Sequence, residues 1–173
     1  VQGFNALSDT LIDELKRKNI ILIEDVCESH GAKHKDKKLG SIGWSSNFSF
    51  YYAHHMSTIE GGMICTNDDK FYQMCRALRS HGMTREITDK KMKQQYIDNY
   101  PDLNPDFIFM GPAHNFRSNE INAVLGLSQL KKLDDNNLKR IANFKYFING
   151  LDKKKYKTDF NLDGQCNYAF IVV

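Results

Sequence analysis

Three short segments of the chain concentrate side chains that could do chemistry. They are EDVCESHGA at 24–32, NFSFYYAHHMSTIEGG at 47–62, and the stretch 115–130, which begins NFRSNE. The first segment follows a continuous apolar run at 19–23, the pattern of a strand buried on both faces of a parallel sheet. Asp25 therefore lies at the carboxyl end of a predicted strand, where open α/β sheets bind their ligands.

Each segment taken alone also has a purely structural explanation. Asp25 could cap a helix or hold a loop. His54 and His55 could bind a metal, but adjacent strand residues face opposite ways and no third ligand accompanies them, so we predict no metal site. Asn115 and Arg117 could simply satisfy the start of a helix.

Alternating helical and strand patterns must position these segments. Ser8 predicts the N-cap of a first amphipathic helix, and Asn67 or Asp68 predicts the cap of a helix that runs to about Ser80. Strand patterns occupy 19–23, 47–51 and 63–66; further helical patterns occupy 90–96, 121–133 and the stretch up to 149, before Gly150. Helices interleaved with short apolar strands indicate an α/β layered domain.

Composition excludes several classes of protein. The chain has 173 residues and a formal net charge of +3, which is too small and too evenly mixed to favour nucleic acid binding. No run approaches the roughly 20 apolar residues that span a bilayer. The four cysteines form no CxxC pair, so the default setting is a reducing cytoplasm. Val1 is not an initiator methionine and 169–173 is a strand-like run, so we expect this chain to be part of a longer protein.

Taken together and in order, the three segments resemble the DegT/DnrJ/EryC1/StrS family of sugar aminotransferases. The family pattern is E-D-x-A-Q-x-H-G-A, then F-S-F-x-x-x-K-x-x-x-x-x-E-G-G, then N-x-R-x-x-E-x-x-A-x-x-G-x-x-Q-L, and the resemblance covers about residues 19–140. It implies the three-layer α/β/α fold of type I enzymes that depend on pyridoxal phosphate. It also implies that 1–145 is the C-terminal part of the large cofactor-binding domain, and that 146–173 begins the small domain.

The resemblance carries roles onto individual residues. Asp25 matches the aspartate that pairs with the pyridine nitrogen of pyridoxal phosphate or pyridoxamine phosphate, and a carboxylate there keeps the ring protonated as an electron sink. Glu28 replaces the usual glutamine near the cofactor 3-oxygen. Ser49 matches a serine that contacts the cofactor phosphate, and Asn115 matches an asparagine that reaches this phosphate across a homodimer interface. Arg117, from the same loop, is predicted to bind substrate.

The position that decides the predicted reaction is His54. Counting back six from Glu60 places it where the family has the lysine that holds the cofactor covalently. Imidazole has no primary amine, but it moves protons near neutral pH. The same replacement is found in the nucleotide-sugar 3-dehydratases of this family, of the GDP-4-keto-6-deoxymannose 3-dehydratase type.

This branch implies a catalytic pair of His54 and Asp25, a nucleotide-linked 4-keto-6-deoxyhexose as substrate, and glutamate as amino donor. A second dehydratase branch binds an iron–sulfur cluster through cysteines inserted after the segment that matches 79–82. This chain has no cysteine between Gly82 and Cys166, so the iron-free branch is favoured.

Two alternatives stay open at this point. The chain could belong to an aminotransferase homologue, or to a protein that binds the cofactor without turnover and serves as a regulator or an interaction domain. In the second case His54 would mark a random loss of the lysine. Retention of Asp25, Ser49 and the His54-His55 pair favours a working enzyme.

Overall fold

The structure is a computed structural model that describes all 173 residues. It contains five α-helices: α1 (Asp9–Arg17), α2 (Asp69–Leu78), α3 (Lys90–Asn99), α4 (Glu120–Leu130) and α5 (Leu133–Asn149). Its strands are β1 (Ile23–Asp25), β2 (Lys33–His34), β3 (Lys37–Lys38), β4 (Ser45–Ser49) and β5 (Gly62–Thr66). The five strands follow one another between α1 and α2, and the remaining helices follow β5, so strands and helices do not alternate along the chain.

Side-chain caps start the helices at the predicted places. The Ser8 hydroxyl accepts from the Leu11 N–H, and the Asp68 carboxylate accepts from the Phe71 N–H. Each such bond satisfies one of the free N–H groups of a first helical turn. Gly150 ends α5. These caps confirm the predicted helix boundaries within a few residues.

One sheet has the order β1-β4-β5, with β1 parallel to β4. The predicted strand at 19–23 is displaced, because β1 begins only at Ile23. The reason lies at the end of α1: Asn19 adopts a positive φ of 53°, and the Ile20 N–H donates to the Leu15 carbonyl at 2.8 Å. The backbone of these residues therefore closes the helix instead of extending into the sheet.

Two further features concern runs at the surface and at the chain end. The basic run 33–38 forms the antiparallel hairpin of β2 and β3. The apolar run 169–173 forms no strand; the Val173 carbonyl accepts one bond from the Lys157 N–H. No helix combines the length and apolar composition that a bilayer span requires.

The chain divides into two compact units. One comprises 1–65 together with 119–173, and the other comprises 66–118. The first unit holds the paired strands β1 and β4, and the second holds α2 and α3. The domain boundary expected near residue 145 stays a prediction.

An aromatic cluster centred on Phe144 of α5 forms part of the core of the first unit. The Phe144 ring is fully buried, and its centroid lies 5.8 Å from that of Phe4 and 6.1 Å from those of Phe160 and Phe170. Such offset and edge contacts add to the free energy of burying the rings. The cluster therefore ties α5 to segments from both ends of the chain.

We expect Phe144→Ala to lower the free energy of unfolding by about 3–5 kcal/mol, because it removes a buried ring and leaves a cavity. Tyr146→Ala, on the same helix, is the matched control: its side chain is 85% exposed, and the change should stay within about 0.5 kcal/mol. Urea unfolding measures both. Equal effects of the two variants would contradict the placement of this core.

Candidate active site

Asp25 is the last residue of β1. It lies where the parallel strands β1 and β4 both end, at the side of the sheet that we call the open edge. The parallel register places Asp25 opposite Asn47 of β4, and Glu24 opposite Ser46. Asp25 is exposed, whereas Glu24 is buried. Successive side chains of a strand point to opposite faces, so the two neighbouring carboxylates enter different environments.

The Asp25 carboxylate is held by hydrogen bonds from Cys27 and Asn47. Its Oδ1 accepts from the Cys27 N–H at 3.1 Å and from the Asn47 side-chain amide at 3.0 Å. Bonding from the Cys27 thiol, the Cys27 N–H and Asn47 lowers the pKa of Asp25. Burial and the nearby carboxylate raise the pKa of the Cys27 thiol to about 11. At neutral pH Asp25 is therefore an ionised acceptor beside a neutral thiol.

The Glu24 carboxylate has a structural role instead. It accepts three backbone N–H groups, from Gly40 at 2.7 Å, Ile42 at 2.8 Å and Gly43 at 2.6 Å. These bonds fix the loop that leads into β4. Glu24 therefore helps to position β4, the strand that pairs with Asp25, but its own carboxylate does not reach the open edge.

His54 lies in the turn that follows β4. Ser49 is the last residue of that strand, and its hydroxyl accepts from the Tyr51 N–H at 3.3 Å. The His54 N–H donates to the Tyr51 carbonyl at 3.0 Å, which closes the turn. The Nδ1 atom of His54 is buried without a hydrogen-bond partner in the protein. No protein group at Nδ1 thus fixes the tautomer of this ring.

Aromatic and imidazole rings surround His54. Its ring centroid lies 5.5 Å from that of Tyr168, 6.0 Å from Tyr51 and 6.1 Å from His30. His30 and Tyr168 have no role predicted from the sequence. His30 stands in the first motif, which was the available signal, whereas nothing in the sequence connects Tyr168 with residues more than a hundred positions earlier.

Two buried histidines flank this ring and are neutral. Burial, and then the neighbouring His55 and His54, lower the pKa of His30 to about 4. Burial also lowers the pKa of His55, whose Nε2 donates to the carbonyls of Cys166 and Asn167 at 3.2 Å each. His55 therefore anchors the C-terminal segment, which carries Tyr168.

Helix α4 fixes the loop that follows His54. The Asn122 amide donates to the carbonyls of Thr58 at 2.5 Å and Glu60 at 3.1 Å. A Cβ added at Gly126 would lie 3.2 Å from the Thr58 methyl carbon, so the helix and loop approach closely where α4 has no side chain. Asn122 and Gly126 of the third motif therefore hold the loop of the second motif in place.

Glu28, Asn115 and Arg117, the other predicted site residues, contact neighbouring residues of the chain. Glu28 Oε2 accepts from the Gln2 N–H at 2.6 Å. In the second compact unit, the Arg117 Nε donates to Asn115 Oδ1 at 2.9 Å, and Asn115 pairs with Ser80 in an isolated β-bridge. The predicted cofactor, interface and substrate contacts of these residues stay predictions.

The chain matches one family model and several known proteins. The model of the DegT/DnrJ/EryC1/StrS aminotransferase family matches residues 9–172. A GDP-4-keto-6-deoxy-D-mannose 3-dehydratase of Escherichia coli O55:H7 is 37% identical over 139 residues, which cover 80% of this chain and 36% of that protein. A GDP-perosamine synthase of Caulobacter vibrioides is 35% identical over 127 residues, covering 73% and 29%.

A solved structure of the E. coli GDP-4-keto-6-deoxy-D-mannose 3-dehydratase, with bound hydrated PLP, superposes with a TM-score of 0.77 and 30% identity. The superposition covers 99% of this chain and 44% of that one. It confirms the predicted fold class. The chain spans about a third of the length of the curated relatives it matches.

We expect the free energy of unfolding to fall as the pH is lowered from about 6.5 to about 4. The unfolded chain protonates His30 near the ordinary histidine pKa, whereas the folded chain does so only near 4. In that window the unfolded state binds more protons, so acid destabilises the fold by up to about 3 kcal/mol. His55, with its lowered pKa, acts in the same direction.

The pH series compares the wild type with His30→Phe, which keeps a ring against Phe48 and Phe50 and removes the titration. The free energy of unfolding of His30→Phe should depend less steeply on pH than that of the wild type. His114→Phe, at an exposed ring, is the control and should retain the wild-type slope. An unchanged slope in His30→Phe would show that His30 is not the group responsible.

Proposed function

Because the chain belongs to the DegT/DnrJ/EryC1/StrS aminotransferase family, we propose that it is part of a 3-dehydratase of nucleotide-linked 4-keto-6-deoxyhexoses. The proposed enzyme depends on pyridoxal phosphate and pyridoxamine phosphate. The observation that carries this proposal is His54, which stands at the lysine position of the family motif in a turn beside the sheet edge.

The residues at this edge fit the cofactor. Asp25 is exposed and ionised, which is the state that holds a protonated pyridine nitrogen. Ser49 offers a hydroxyl at the end of the neighbouring strand, as a phosphate contact requires. A relative of the same fold binds PLP. We therefore assign Asp25, Ser49 and His54 to cofactor binding at this edge. The family resemblance adds Glu28 and, across the dimer interface, Asn115.

When bound, the cofactor supplies an amine that condenses with the sugar 4-keto group and a ring that accepts electrons. Asp25 keeps the ring nitrogen protonated. His54 moves a proton at the 4′ carbon of the cofactor and returns a proton to the departing 3-hydroxyl. No hydrogen bond from the protein to Nδ1 opposes this role.

The absence of a lysine amine favours dehydration over amino transfer. A lysine would recapture the cofactor covalently and direct the reaction toward an amino sugar. His54 cannot do so, because imidazole lacks a primary amine. Glutamate is the proposed donor that restores the amine form of the cofactor, and a GDP-linked hexose is the first substrate to test, since two of the relatives are named for GDP sugars.

We further propose a cytoplasmic homodimer that shares its active sites, with Asn115 reaching the cofactor phosphate of the partner and Arg117 contacting substrate. Helix α4 presents an apolar face to solvent, with Ile121 74% and Val124 66% exposed, which a partner subunit would cover. Light scattering of the intact protein at micromolar concentration tests this, and an active monomer would overturn it.

The proposed enzyme uses no iron–sulfur cluster. Cluster ligation needs several converging thiolates, and no cysteine follows Gly82 until Cys166. Burial raises the pKa of that thiol to about 12, which opposes its ionisation. Activity should survive a strong iron chelator, and its loss would place the protein in the other dehydratase branch.

The activity test incubates the intact protein with pyridoxamine phosphate, glutamate and a panel of nucleotide-linked 4-keto-6-deoxyhexoses, followed by mass analysis. We expect a sugar product that lacks one oxygen atom, together with ammonia. His54→Asn should lower kcat by about 10²–10⁴-fold, because it removes the group that moves the proton. His54→Lys should shift the products toward the 4-amino sugar.

Each alternative result of this activity test would point to a different function or mechanism. A 4-amino sugar from the wild-type protein would make it an aminotransferase, as the similarity to perosamine synthase allows. Failure to bind either cofactor form, followed by absorbance, would make it a non-catalytic scaffold. Deoxygenation that persists in His54→Asn would remove His54 from the mechanism.

A further inference from the structure

The side-chain amide of Asn47 lies between Asp25 and Cys27. Its Nδ2 donates to Asp25 Oδ1 at 3.0 Å and to Cys27 Sγ at 3.2 Å. An amide nitrogen carries two hydrogens, so it can make both bonds at once. The Cys27 N–H, at 3.1 Å from the same Oδ1, completes the arrangement. We call the set of Asp25, Cys27 and Asn47 the carboxylate clamp.

The parallel register builds this clamp. Asn47 pairs with Asp25 across β1 and β4, and the Val26 N–H donates to the Asn47 carbonyl at 2.9 Å. This backbone bond joins Asn47 to Val26, the residue before Cys27, and so keeps the Asn47 side chain within reach of Cys27. By strand alternation, the preceding Ser46 points the other way, and its hydroxyl donates to the Gly40 carbonyl at 2.8 Å. Ser46 therefore shares the strand with Asn47 but not the clamp.

We propose that Asn47 is a positioning residue for Asp25: its amide, together with Cys27, holds the carboxylate in one orientation at the sheet edge. This inference rests on the proposed function, in which Asp25 faces the pyridine nitrogen of the cofactor. It assigns a task to a residue outside the catalytic pair and outside the cofactor contacts.

Two consequences follow from the geometry. The bonds from the Cys27 N–H and the Asn47 amide both end on Oδ1, so rotation of the carboxylate would break them together. The amide also donates to the Cys27 sulfur, which keeps the neutral thiol beside the carboxylate as a further donor. Losing Asn47 therefore removes one of the two bonds to Oδ1 and the bond that holds the Cys27 sulfur beside it. Hydrogen bonds from Cys27, and then from Asn47, lower the pKa of Asp25.

The experiment titrates the Asp25 carboxyl by NMR in the intact protein, with ¹³C-labelled aspartate and before cofactor is added. Asp25→Asn identifies the signal. Asn47→Ala should raise the pKa of Asp25 by about half a unit to one unit, because a charge-assisted hydrogen bond is lost. Ser46→Ala is the matched control, since it removes one hydrogen bond of the same strand, and it should leave the titration unchanged.

Asn47→Leu, which keeps a similar shape without the donor, serves if the alanine variant folds poorly, and it should show the same shift. An Asp25 titration that is unchanged in both Asn47 variants overturns the inference. An equal shift in Ser46→Ala also overturns it, because the effect would then reflect general loosening of β4. The titration needs neither cofactor nor substrate, so its failure is distinguishable from failure of the dehydratase assay.

Discussion

The parallel pairing of β1 with β4 is the interaction on which the candidate site depends. It sets Asp25 opposite Asn47 and Glu24 opposite Ser46. Because successive side chains of a strand point to opposite faces, the Asp25 carboxylate lies at the open edge and the Glu24 carboxylate bonds the loop that precedes β4. A shift of one residue in this register would exchange the two environments, and the edge would lose its ionised acceptor.

A second constraint fixes the turn that carries His54. The loop returns to the sheet through bonds from the Thr58 N–H to the Phe50 carbonyl at 2.8 Å and from the Phe50 N–H to the Gly61 carbonyl at 2.9 Å. Asn122 and Gly126 of α4 dock against the same loop. Residues of the third motif in α4 thus support the loop of the second motif that carries His54.

Local signals predicted much of this fold, because caps and apolar periodicity act over a few residues. Ser8 and Asp68 cap helices as expected, and Asp25 ends a strand as expected. The start of β1 was misplaced because closure of α1 competes for the same backbone. The roles of Asn47 and Tyr168 could not be predicted, since one depends on strand register and the other on a segment distant in sequence.

The central proposal is that His54 handles protons at the position where the family resemblance places a cofactor-binding lysine. Borohydride reduction of the intact protein loaded with pyridoxal phosphate, followed by peptide mass mapping, tests it most directly, because reduction makes any imine to the chain permanent. The account predicts no stoichiometric adduct on the peptide that contains His54, and release of the cofactor on denaturation. A stoichiometric adduct mapped to His54, or to a lysine elsewhere in the protein that occupies the same site, would contradict it.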